Sequence, residues 1–101
     1  MLFRAALGEV PGSLFVEGEI DVAAAGAFGE ALDRAAALGP LVLDLSGVTF
    51  MDSSGLHVLL RAAEVANGTP VMVTSIGPAV RRLFQVAIPD GVPGLAVPED
   101  A

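Results

Sequence analysis

Apolar and polar positions along this chain change their period several times, and each change marks an element. Leu41-Val42-Leu43-Asp44-Leu45 is an almost continuous apolar run, rich in branched residues, which predicts a buried strand. A short Ser-Gly-Val-Thr loop is expected next, leading to Phe50-Met51-Asp52-Ser53-Ser54-Gly55. From Leu56 onward the apolar spacing becomes Leu56, Leu59, Leu60, Ala63, which is helical. The stretch Leu41 to Leu60 therefore predicts strand, tight loop and helix, the helix running from about Ser53 to Ala66 and stopping at Asn67-Gly68.

The same reading extends to both sides. Leu2 to Leu7 is a short strand candidate, and Gly8 to Ser13 is turn chemistry. Leu14 to Ile20 is its antiparallel partner, because so short a connection permits only a hairpin. Asp21 stands where an N-cap would stand, before a helix whose stripe is Phe28, Leu32, Ala35 and Leu38 and which Gly39-Pro40 terminates. Pro70 to Thr74 predicts a further buried strand. A third helix after Gly77-Pro78 carries Val80, Leu83 and Phe84 inward and Arg81-Arg82 outward. Pro and Gly forbid regular structure from Ile88 to Gly94, Leu95-Ala96-Val97 adds an edge strand, and 98–101 is a tail.

The order β-β-α-β-α-β-α-β predicts one α/β domain over residues 1–101, with its core in about 2–97 and a mixed, mostly parallel sheet. Leu43, Leu45, Phe50, Leu59, Leu60, Val71 and Val73 are the expected core residues. At 101 residues there is room for one core and no second.

Composition narrows the function. The chain is 53% hydrophobic, yet no stretch approaches the ~20 apolar residues a membrane span needs. Met1-Leu2-Phe3-Arg4 does not open a signal peptide, so the expectation is a soluble cytoplasmic protein, monomeric when free and without membrane partners. Absence of Cys excludes disulfides, thiolate metal sites and Cys nucleophiles. A net charge of −7, with five Arg and no Lys, argues against nucleic acid as a partner and suits a partner with a basic patch. One His and dispersed carboxylates make a poor metal site, and no Gly-rich loop precedes a Lys to hold a nucleotide, so neither metal nor cofactor is expected.

Chemistry concentrates at Asp52-Ser53-Ser54-Gly55. A helix start carries unpaired N–H groups and the positive end of the dipole, which favour an anion. Helix capping alone accounts for one Asp or one Ser here. Two adjacent hydroxyls and a carboxylate exceed what a cap needs, and Gly55 permits close approach of another backbone. A serine hydrolase is the weakest reading. Gly-x-Ser-x-Gly is absent, and the lone His57, three residues after Ser54, has no visible third member or oxyanion hole.

Phe50-Met51-Asp52-Ser53-Ser54-Gly55-Leu56 after a hydrophobic strand resembles the signature of STAS domains, specifically bacterial anti-sigma factor antagonists. Gly18-Glu19-Ile20-Asp21 is similar to the element that closes the second strand in that family, and the likeness runs from about Leu14 to Phe84. It implies a STAS fold with helices mainly on one side of the sheet, and no enzymatic activity. It further implies binding, when unphosphorylated, to an anti-sigma factor with serine kinase activity, which frees a sigma factor. By the same likeness, phosphorylation at Ser54, the second of the pair, is expected to abolish that binding and a serine phosphatase to reverse it. Asp21, Asp52, Ser53, Ser54 and Gly55 are the partner-binding residues by the same likeness, with Asp21 equally explained as a cap. The alternative within the family is a constitutive scaffold subunit serving a stress complex or a lipid-transport ATPase.

Overall fold

The computed structural model describes residues 2–66 and 68–98. Asn67 of the expected helix stop and residues 99–101 of the expected tail lie outside them. The chain forms β1 (Phe3–Leu7), β2 (Ser13–Ile20), α1 (Ala25–Ala36), β3 (Val42–Met51), α2 (Ser53–Val65), β4 (Val71–Ile76), α3 (Pro78–Ala87) and β5 (Leu95–Ala96). The five strands lie side by side in sequence order; β1 is antiparallel to β2, and every later pair is parallel. Parallel neighbours in sequence order, joined by crossovers of one hand, place their helices on the same side of the sheet. The result is a two-layer domain with a single core.

Burial follows from this. On the helix side lie Leu14, Val16 and Ile20 of β2, Leu43, Leu45, Val48 and Met51 of β3, and Val71, Val73 and Ile76 of β4, all buried. Phe28 and Leu32 of α1, Leu56 and Leu59 of α2, and Val80 and Phe84 of α3 close over them. Phe3 of β1 meets Phe28 edge to face, with ring centroids 6.2 Å apart. The opposite sheet face is open and carries Phe15, Glu17, Asp44 and Met72, with Arg4 and Glu17 paired at 3.1 Å.

The largest departure from the sequence expectation is in β3. Its Ser46–Thr49 segment is strand, not loop, and pairs with β2 as far as Met51. Two irregularities keep the pairing in phase. Between the pairs Phe15–Asp44 and Glu17–Gly47, two residues of β3 face one of β2, and between Gly18–Val48 and Glu19–Phe50 Thr49 is the extra residue. At the first, the Asp44 carboxylate accepts hydrogen bonds from the Ser46 amide (2.9 Å) and hydroxyl (2.6 Å). Turn-like chemistry thus sits inside a strand as a bulge. The second makes Val48 and Met51, three residues apart, share the core face. Phe50 is consequently on the open side and 44% exposed, against the expectation that it is core, while Met51 is buried.

Smaller corrections concern the helices. Leu38 lies past the end of α1 and is exposed, Leu60 is only partly buried, and Arg81 is half-buried with its Nε enclosed, not outward. The other expected core residues, Leu43, Leu45, Leu59, Val71 and Val73, are buried.

Leu59 is fully enclosed at the centre of α2. Leu59→Ala is expected to destabilise the fold by about 2–5 kcal/mol, read as a lower denaturation midpoint; an unchanged midpoint would contradict this packing.

Candidate functional site

The site is assembled by the ends of two parallel strands. Ile20 and Met51, the last residues of β2 and β3, are register partners, so Asp21 and Asp52 leave the sheet side by side, about one strand spacing (~5 Å) apart. The Asp52 amide donates to the Ile20 carbonyl oxygen at 3.2 Å, extending the ladder by one bond. Both acids stand at the carboxyl edge of the parallel strands, where loops of open α/β sheets gather their functional groups.

Each carboxylate has a structural task. Asp52 is the N-cap of α2, with extended backbone (φ −108°, ψ −170°), and its Oδ1 accepts from the Ser54 amide at 2.9 Å. Its carbonyl receives the first helical bond, from Leu56 N at 3.1 Å. Asp21 does not cap a helix. α1 begins only at Ala25, with Ala24 at its N-cap position and no side-chain cap there. Asp21 Oδ1 instead accepts from the Ala23 and Ala24 amides, at 3.0 and 3.1 Å, and holds a turn that precedes the helix. Residues 21–24 form this turn because Asp21 offers the backbone a competing partner just where a helix would start.

Ser53 and Ser54 occupy the first turn of α2, Ser53 exposed and Ser54 half-buried. Among the described residues neither hydroxyl makes a hydrogen bond. Gly55 is buried. A Cβ built on it would lie 2.7 Å from Ile20 Cγ2 and 2.8 Å from Met51 Cγ, so two side chains, and not another backbone, make the close approach there. The bare Gly55 lets α2 start directly on the two strand ends that place the acids. His57 is exposed one turn into the helix and forms no bond to either serine. No group of three or more His, Asp or Glu capable of holding a metal occurs among the described residues, and no described helix is long and apolar enough to cross a membrane.

The STAS domain family model matches residues 7–93, a span that includes both strand ends, both acids and the capped helix start. The chain belongs to the STAS domain family. A solved anti-sigma factor antagonist from Mycobacterium paratuberculosis is 31% identical, with a TM-score of 0.75 over 98% of this chain and 87% of that one. The anti-sigma factor antagonist SpoIIAA in its unphosphorylated form shares the fold, at 19% identity and a TM-score of 0.62 over 99% of this chain and 90% of that one. This STAS domain therefore has anti-sigma factor antagonists as its structural neighbours.

Two features of the site were not evident from residue types. Phe50 is beside it and open to solvent, and Glu19, its register partner, shares that open face. The only sequence hint was the adjacent apolar pair Phe50-Met51, of which a strand can bury just one per face.

The packing at Gly55 can be tested without any partner. Gly55→Ala overpacks Ile20 and Met51 by roughly 1–3 kcal/mol, more than the ~1 kcal/mol that Ala gains over Gly in a helix. A lower unfolding midpoint is expected, and a raised one would show that α2 does not sit on the strand ends this closely. Asp52→Ala should cost about 0.5–2 kcal/mol as a lost cap, measurable in the same denaturation series.

Proposed function

We propose that this STAS domain is an anti-sigma factor antagonist that binds an anti-sigma factor with serine kinase activity and is released when Ser54 is phosphorylated. The observation that carries this reading is the Asp52-capped start of α2, with Ser53 and Ser54 in its first turn and Asp21 alongside. The likeness to the Mycobacterium paratuberculosis antagonist supports it. A serine phosphatase would return the chain to its binding form, and the output is a freed sigma factor. The protein acts by binding and is a substrate of the kinase, not a catalyst.

Electrostatics explain how one group would switch binding without unfolding the domain. A phosphate adds roughly −1.5 to −2 charges at the positive end of α2, which offsets its repulsion from Asp52 and Asp21 while water surrounds it. In an interface the same charge is stripped of water beside those two acids. Leaving a charge unpaired there costs about 3–5 kcal/mol, or about two to three and a half decades in affinity. Between the two serines, Ser53 has the greater exposure, but Ser54 has its amide held by Asp52, which fixes its backbone relative to the cap. Resemblance to the family favours Ser54, the second of the pair, as the modified residue.

The test is incubation with a candidate anti-sigma kinase and ATP, followed by site-resolved mass spectrometry and calorimetry. Phosphate is expected on Ser54, with binding weakened by about two decades or more and little change in the thermal midpoint. Ser54→Asp should reproduce part of the loss, and Ser54→Ala should block modification while keeping most of the binding. Phosphate on Ser53, or full binding by the Ser54-modified protein, would overturn the mechanism. Asp21→Ala and Asp52→Ala should each weaken binding or phosphorylation beyond their effect on stability; wild-type behaviour in both would reduce these acids to their backbone roles.

A further inference from the structure

β3 outruns β4. The register ends with Ile76 opposite Leu45, so Ser46–Met51 have β2 as their strand partner and present a second edge that no strand covers. α3 takes that place. At its N-cap Gly77 passes so close that a Cβ would lie 3.4 Å from the Ser46 carbonyl oxygen and 3.7 Å from that of Val48. One side of α3 sends Val80 and Phe84 into the core. Its other side, with Pro78, Ala79, Arg82, Leu83 and Val86, joins Phe50 in an open cleft of about 520 Å³.

Three observations point to what this cleft receives. Its walls are apolar although they face water: Val86 is 77% exposed and Phe50 44%. Arg82 is its one charged residue, on a chain of net charge −7, and is exposed; among the described residues it has no carboxylate within ion-pair distance, Arg4–Glu17 being the only pair. Finally, the strand that forms the cleft wall continues from Phe50-Met51 directly into Asp52, Ser53 and Ser54. The surface thus carries two acids at the serine end, with apolar ground and one cation in the adjoining cleft.

We propose that the cleft is the second half of the interface that holds the anti-sigma factor, an inference that rests on the function proposed above. Its occupant is a segment of that partner bearing an apolar side chain beside a carboxylate. The apolar group enters between Phe50, Leu83 and Val86, the carboxylate meets Arg82, and basic groups of the partner face Asp21 and Asp52. Removing these apolar groups from water supplies affinity, and the opposed charges at the two ends set orientation and suppress the reversed pose. The cleft governs docking and Ser54 governs release, so the two are separable by substitution.

The variants are Arg82→Glu, Val86→Glu and Arg82→Lys, all at exposed positions, with thermal midpoints recorded to verify folding. The probe is each purified anti-sigma factor serine kinase encoded in the same genome, tested by calorimetry and by Ser54 phosphorylation kinetics. Arg82→Glu and Val86→Glu should each raise Kd by about tenfold or more, and Arg82→Lys by only about threefold, because it keeps the charge. As kinase substrates the two Glu variants should show a raised KM with kcat nearly unchanged, the mark of lost docking. Glu variants that match wild type in Kd and KM, while wild type binds and is phosphorylated on Ser54, would overturn the cleft and leave the functional reading standing. Wild type that binds none of the kinases would overturn both.

Discussion

Everything specific to this molecule depends on the register between the ends of β2 and β3. Ile20 opposite Met51, with the Asp52 amide on the Ile20 carbonyl, is what makes neighbours of two acids far apart in the chain. Side chains alternate along a strand, so a slip of one residue would turn Met51 outward and Phe50 inward and move the helix start off the strand ends. The bulge at Asp44–Ser46 and the extra residue Thr49 are therefore not defects. They let a ten-residue strand follow an eight-residue one and still finish in phase. Gly55 completes the constraint, because any larger residue would lift α2 from Ile20 and Met51.

That construction suits a binding switch. The acids satisfy backbone amides of their own loops, Asp52 at Ser54 and Asp21 at Ala23 and Ala24, so the turn is already organised before any partner arrives. A preorganised surface loses little conformational freedom on binding. It is also unforgiving of added charge. A flexible loop would swing a phosphate away from an interface, whereas a serine in the first turn of a capped helix holds it in place. In the proposed switch, rigidity would raise both the affinity of the unmodified form and the penalty of the modified one.

Most of this was legible in the sequence, for identifiable reasons. The order and type of every element follow from the switch between runs, alternation and helical spacing, and the Asp52 cap from the residue types that begin helices. The helix start at Asp52-Ser53-Ser54 was recognisable from residue types that begin helices, and it carries more polar groups than capping needs. Three things were not legible. Ser46-Gly47 looks like a turn because Ser and Gly favour turns, and only pairing with β2 reveals a bulge in a continuous strand. The inward and outward assignment of Phe50 and Met51 depends on Thr49 having no register partner, which no local pattern encodes. Asp21 caps equally well as the residue before a helix or as the corner of a turn, and the backbone chose the turn.

The misplaced Phe50 and the shape of the functional face have one physical origin. A strand longer than its neighbour must cover its surplus edge, or leave its backbone available for pairing with another chain. Here α3 covers it, but a helix on an edge cannot bury both its own sides. The side bearing Val80 and Phe84 is spent on the core, Leu83 is half-buried at its margin, and Val86 is left beside Phe50 in water. Exposed apolar area of this kind stabilises nothing in the free domain and costs solubility, which the net charge of −7 offsets. The same surplus of β3 carries Asp52 and the serines beyond the end of β4, clear of any neighbouring strand on that side. The serine-bearing turn and the apolar cleft thus come from a single decision in the fold, the length of β3, and neither could be moved without moving the other.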